Sequence, residues 1–290
     1  MTDAQFNAFY SADARPLAIV LGTNEIASAV AVQLTKAACA VIMSHDPFPP
    51  VIRRAMSFHD ALFGDPAVVE AMCGERAESA IEVAGILSRP RHIAVTPLHL
   101  TDLLAIRSPF ALIDARMQKH RVTPDYRGLA RVTVGLGPNF VVGANCDIAI
   151  ETKPIRSGAI VADGATASAD GQARLLGGVG RERFAYSDRA GLWHTPVEIG
   201  MRVFKGFVLG HLDGAAVRAP IDGVLRGVVR DATCIPAGVK LLEVDPRGRK
   251  AKWTGVDERG RGVAEAVVAA VRMAMEKNSA MRPTRGALVH

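Results

Sequence analysis

Gly22, Asn24 and Asp46 stand where an α/β chain places groups for a phosphate-bearing ligand. The run Leu17-Ala18-Ile19-Val20-Leu21 suits a buried parallel strand. Gly22-Thr23-Asn24-Glu25 reads as a turn, residues 26–38 as a helix and residues 40–43 as a second strand. A helix N-terminus attracts phosphate through unpaired N–H groups and its dipole. Glycine lets a ligand approach the backbone, and an acidic residue after the second strand accepts ribose hydroxyls. Gly22 and Asp46 meet those two needs, but only one glycine of the GxGxxG pattern remains in Gly22-Thr23-Asn24-Glu25-Ile26-Ala27. Glu25 also adds negative charge where a phosphate would sit, so a scaffold without a dinucleotide stays open beside nucleotide binding.

Two further glycine-rich turns offer backbone N–H groups for an anion. The first is Gly135-Leu136-Gly137-Pro138-Asn139, followed by Asn145 and Asp147. The second is Gly177-Gly178-Val179-Gly180-Arg181-Glu182-Arg183, where Arg181 would balance a ligand's charge. The expected cofactor site is Gly22, Asn24, Asp46, Gly135, Gly137, Asn139 and Arg181. Arg53-Arg54 suits an anion clamp or a salt bridge, and His45 sits at a strand end, where α/β sheets bind ligands. His92 and His99 lack metal-ligand spacing and read as structural. Cys39, Cys73, Cys146 and Cys234 form no CxxC pair, so no metal is expected. No Ser-His-Asp order, P-loop or HExxH motif appears, and no catalytic residue is assigned.

The elements that must position these groups divide the chain. Residues 1–126 read as a Rossmann-like α/β domain, with further helices at 50–63, 67–73, 78–87 and 100–106 and strands at 92–95 and 110–114. Residues 127–189 read as a glycine-rich β linker with strands near 131–134 and 148–152 and a hairpin over 160–174. Residues 190–258 contain a duplication: Gly191 to Gly206 and Gly223 to Gly238 are both fifteen residues apart, and Asp213 falls on Asp245. The repeat predicts a duplicated β sandwich of the biotinyl or lipoyl kind. No lysine lies between Lys205 and Lys240, which argues against carrier chemistry. A helix over 259–277 and a flexible basic tail over 278–290 complete the plan.

Net charge is +6 with pI near 9.4, which favours anionic partners, but aromatics are 5% and no stacking platform appears. Nucleic acid and membrane are not expected as partners, and no basic-then-apolar leader opens the chain, so a cytoplasmic protein is expected.

Several blocks taken in order resemble the selenium-dependent molybdenum hydroxylase accessory proteins, the YqeB type, loosely related to xanthine dehydrogenase accessory factors. They are Val51-Ile52-Arg53-Arg54, residues 111–117, Val134-Gly135-Leu136-Gly137-Pro138, Ile150-Glu151-Thr152, residues 177–183, residues 223–231 and residues 244–248. The resemblance implies an accessory role in maturation or cofactor handling of a molybdenum hydroxylase, with a client enzyme as partner. A nucleotide or a molybdopterin-type anion would be the ligand. The residues leave two alternatives: an NAD(P)-dependent oxidoreductase, or an interaction scaffold in another pterin or one-carbon pathway.

Overall fold

A computed structural model describes residues 9–11, 14–64, 66–119 and 121–280. The N-terminal lobe is built on β1 (Leu17–Leu21), β2 (Ala40–Ser44), β3 (Ala67–Val69), β4 (Met72–Arg76), β5 (His92–Thr96) and β6 (Ala111–Asp114). With β7 (Val132–Leu136), β8 (Ile148–Ile150) and β9 (Ile160–Val161) they form a nine-stranded sheet, ordered β3-β4-β5-β2-β1-β6-β7-β8-β9. Neighbours from β4 through β8 pair in parallel, and the edge strands β3 and β9 are antiparallel. Alternation along β1 divides the core: Ala18 and Val20 face one layer, Leu17, Ile19 and Leu21 the other. The first layer holds α1 (Glu25–Lys36) and α4 (Glu258–Ala280); the second holds α2 (Ala80–Leu87) and α3 (Leu100–Ile106). Small residues let α4 lie close on α1: a Cβ added at Gly260 would come within 3.3 Å of Ala29 Cβ.

The α/β class expected from the sequence holds, but the expected pairing of a Rossmann-like domain with a separate carrier-type duplicated sandwich is corrected. Residues 132–161 are not a linker; they extend the large sheet past the boundary expected near Tyr126. The remaining strands are β10 (Phe184–Tyr186), β11 (Gly191–His194), β12 (Arg202–Val203), β13 (Val208–Leu212), β14 (Ala215–Arg218), β15 (Gly223–Val228), β16 (Thr233–Ile235) and β17 (Lys240–Asp245). They form two four-stranded sheets, β10-β17-β15-β12 and β14-β13-β11-β16, over a core around fully buried Trp193. The repeats are unequal here. β15 and β17 have six residues each and carry buried charges toward the N-terminal lobe, β11 has four, and β10 comes from outside the repeat. Fifteen-residue spacing records the turns; it does not reveal that one copy docks on another lobe.

Two expected helices are absent. Residues 67–73 form the β3–β4 hairpin, whose turn residues Glu70 and Ala71 have φ of 45° and 62°. Such turns usually show Asn-Gly, so this one is invisible to turn signals. Residues 50–63 form an extended strap followed by two short 3-10 turns, Arg54–Met56 and His59–Phe63. The strap docks on β15: Val228 N donates to Ile52 O at 2.8 Å, and Arg54 Nε donates to Val228 O at 3.0 Å. Phe48 and Ile52 sit in the C-terminal core, so this contact is worth more than local helix propensity. The final helix runs three residues into the expected tail, and residues 281–290 lie outside the described residues.

Candidate functional site

The chain reverses its order around the sheet between β1 and β6, and the crevice beyond their C-terminal ends is where open α/β sheets bind ligands. Gly22 leaves β1 there with φ +105°. A Cβ at that position would lie 3.2 Å from Ala115 O, so glycine serves the crossing of the chain after β6 as well as any ligand. Asn24 caps α1: its Oδ1 accepts from Ile26 N at 2.9 Å and Ala27 N at 3.0 Å. Its Nδ2 donates to Ala115 O at 2.8 Å. The helix N–H groups a phosphate would use are therefore already bonded by the protein's own side chain.

Asp46 faces the same cleft, with Oδ1 accepting from Phe48 N at 2.9 Å. Its Oδ2 accepts from Gln118 Nε2 at 2.8 Å and Arg116 Nη1 at 3.3 Å. Arg116 is in turn paired with Asp114 at 2.6 Å and bonded to Tyr126 Oη at 2.7 Å. The cleft is small and open to solvent on one side, lined by Gly22, Asn24, Asp46, Phe48, Pro49 and Arg116. Thr23 Oγ1 lies 2.9 Å from His59 Nδ1 and 3.5 Å from His45 Nδ1. Burial lowers the pKa of His45; burial, then His45, Arg54 and Arg230, pulls His59 down to about 3. His59 is thus neutral at physiological pH and holds Thr23 in place.

The other expected site residues separate. A Cβ at Gly135 would fall 2.0 Å from the buried Phe140 ring, so this glycine answers to packing. Gly137 is buried beside Met117 and Thr152, and exposed Asn139 donates through Nδ2 to Lys119 O at 3.2 Å. Asp147 Oδ2 accepts from Thr133 N and Oγ1, each at 2.7 Å, and tethers β7. Arg181 does not join the cleft: it is exposed, with its guanidinium 4.6 Å over Tyr186. Arg183, two residues on, is the buried one of the pair.

Arg183 belongs to an ionic seam between the lobes that the sequence reading missed. Glu243 of β17, fully buried, accepts from Arg53 Nε at 2.6 Å and Nη2 at 3.1 Å and from Arg183 Nε at 2.9 Å. Burial raises the pKa of Glu243, but Arg53 first, then Arg226 and Arg183, hold it down at about 2. Arg53 Nη1 also donates to Glu25 Oε1 at 2.6 Å, so the acidic residue at the start of α1 is neutralised from the strap. Arg226 pairs with Asp257 at 2.9 Å and reaches Lys252 O, tying β15 to the start of α4.

Lys240 stands differently. Its ammonium lies 3.9 Å over the Phe184 ring, and among the described residues it makes no ion pair. Burial first, then the charges of Arg53 and Lys119 against a partial pull from Glu243, lowers its pKa to about 8. Arg259 is also lowered, by burial and by Arg53 and Arg174 against Glu25 and Asp257; its Nε is buried without a hydrogen-bond partner. One sequence signal could have found Lys240: it interrupts an otherwise apolar correspondence between the repeats, where the first copy has Val208.

No family model matches the chain. It is 29% identical over 262 residues to the uncharacterized protein YqeB of Escherichia coli K12, a match covering 90% of this chain and 48% of that protein. The chain therefore spans about half the length of this curated relative. The solved structures it matches include two at low similarity. An aspartoacylase family protein of Mesorhizobium loti is 13% identical with TM-score 0.27, over 81% of this chain and 87% of that one. The ectoine utilization protein EutE (DoeB) of Ruegeria pomeroyi is 12% identical with TM-score 0.25, over 80% and 86%. The likeness to YqeB that the ordered blocks suggested thus extends along most of the chain.

Proposed function

We propose that this protein binds an anionic cofactor or nucleotide in the seam between its lobes, near the ends of β1 and β7, and handles it for a client enzyme. The observation that carries the reading is Lys240. A half-buried ammonium set over an aromatic ring without a carboxylate partner is costly, and here Arg53 and Lys119 add repulsion. A phosphate or similar anion beside Lys240 would remove that cost. Asp46 and Gln118, at the neighbouring cleft, would meet ligand hydroxyl or amide groups. A molybdenum hydroxylase as the client rests on the resemblance of the ordered sequence blocks alone.

The NAD(P) oxidoreductase reading is less favoured, because Asn24 occupies the helix N–H groups that bind pyrophosphate in that chemistry. Calorimetric titration of the full chain with pyrophosphate, CTP, NADH and molybdopterin tests the proposal. Binding of at least one anion, weakened about tenfold or more in Lys240→Met and by added salt, is expected. Absence of binding by all four, or equal affinity in the variant, would overturn it.

A further inference from the structure

β4 and β5 lie side by side in parallel, with Cys73 directly opposite His92. Glu75, two residues along β4, points to the same face as Cys73. All three are half-buried, and they sit where β5 begins, at the sheet edge opposite the one carrying Gly22 and Asp46. Cys73 Sγ, Glu75 Oε1 and His92 Nε2 lie within 4.8 Å of one another.

The proton positions make this grouping informative. His92 Nδ1 is 2.7 Å from Pro90 O. A carbonyl only accepts, so Nδ1 carries the proton, and in the neutral ring Nε2 presents a lone pair. That lone pair faces Glu75 Oε1 at 3.1 Å, and Cys73 Sγ is 3.8 Å from the same oxygen. Two lone pairs so close require a cation between them, either a proton or a metal. Arg89 Nη2 holds the other carboxylate oxygen at 2.7 Å, which turns Oε1 toward the imidazole and the thiol.

We propose that Cys73, Glu75 and His92 form a binding site for zinc or a similar borderline divalent ion, separate from the anion seam. Tetrahedral zinc, with bonds of about 2.3 Å to sulfur and 2.0–2.1 Å to nitrogen and oxygen, sets N and O roughly 3.3 Å apart and S and O roughly 3.5 Å apart. The observed 3.1 and 3.8 Å differ from those by a few tenths of an ångström. Sulfur, nitrogen and oxygen donors together suit zinc better than magnesium or calcium. The Pro90 carbonyl does what outer partners do at metal sites, fixing the tautomer and the ring. Metal binding releases to solvent both the thiol proton and the proton otherwise held between His92 and Glu75, and leaves a fourth position for water.

Cobalt(II) titration of the full chain tests this, read by the sulfur-to-cobalt charge-transfer absorbance in the near ultraviolet. The expected result is a single site, displaced by zinc, with two protons released per metal, one from the thiol and one from between His92 and Glu75. Cys73→Ser should abolish the absorbance, and His92→Gln should weaken binding by about 10- to 100-fold. Cys234→Ser, which removes an exposed thiol elsewhere, should change neither. An absorbance that never appears, that survives Cys73→Ser or that vanishes in Cys234→Ser would overturn the proposal and leave His92 and Glu75 as a protonated ion pair. If the Cys73 variant does not fold, alkylation of the wild-type protein decides. Zinc should slow modification of Cys73 at least tenfold, and an unchanged rate refutes the site.

Discussion

Replacing Glu243 by glutamine should loosen the joint between the lobes with a distinctive dependence on pH. The carboxylate is fully buried and receives Arg53 at 2.6 and 3.1 Å and Arg183 at 2.9 Å. Burial pushes its pKa up, and the guanidiniums bring it down to about 2 from an ordinary 4.5. That gap corresponds to about 3 kcal/mol at roughly 1.4 kcal/mol per unit. The sign follows from the lowered value. Below pH 4.5 the unfolded chain takes up a proton at this group before the folded one does. The contribution is therefore complete above about pH 4.5 and is lost as pH falls toward 2. Glutamine keeps the shape but leaves Arg53 and Arg183 without their shared anion, a change that costs about 3–5 kcal/mol in buried pairs. Urea unfolding followed by fluorescence should place the variant about 3 kcal/mol below wild type at pH 7, with the gap shrinking between pH 4.5 and 2. Buried Trp193, whose Nε1 donates to Val229 O, reports on the C-terminal core in that assay. A variant within 1 kcal/mol of wild type at pH 7, or a gap insensitive to acid, would refute the reasoning.

At Lys240 the charged form costs stability rather than contributing it: because its folded pKa lies near 8, below the ordinary 10.5, the unfolded chain holds the proton longer. Stability of the ligand-free protein should rise between about pH 8 and 10.5, and Lys240→Met should abolish that rise while adding about 1–2 kcal/mol at pH 7, measured by urea unfolding at both ends of the range. Asn24→Ala removes the α1 cap and the bond to Ala115, so a loss of about 1–2 kcal/mol is expected in thermal melts, and a loss below about 0.3 kcal/mol would contradict the capping role. Gly135→Ala drives a methyl group into Phe140 and should cost about 1–3 kcal/mol in urea unfolding. Titration of the folded Gly135 variant should then return wild-type anion affinity, because this glycine packs rather than binds.

The sequence by itself determined the elements whose signals are local. Continuous apolar runs marked β1, β2, β5 and β6, because strands covered on both faces need apolar residues at every position. The spacing of Val263, Val267 and Val271 marked α4, because a helix buries one stripe, and the charged Glu25 already spoke against phosphate at the first turn. Only the tertiary structure decided that residues 50–54 are a strap rather than a helix, since their partners lie on β15, more than 170 residues away. It alone set Arg53 between Glu25 and Glu243, chose Arg183 over Arg181, and placed Cys73 opposite His92 across a parallel pair. The reason is physical: helix and strand periodicity come from backbone geometry within a few residues. Charge pairing and ligand convergence depend on which distant segments burial brings within about 4 Å.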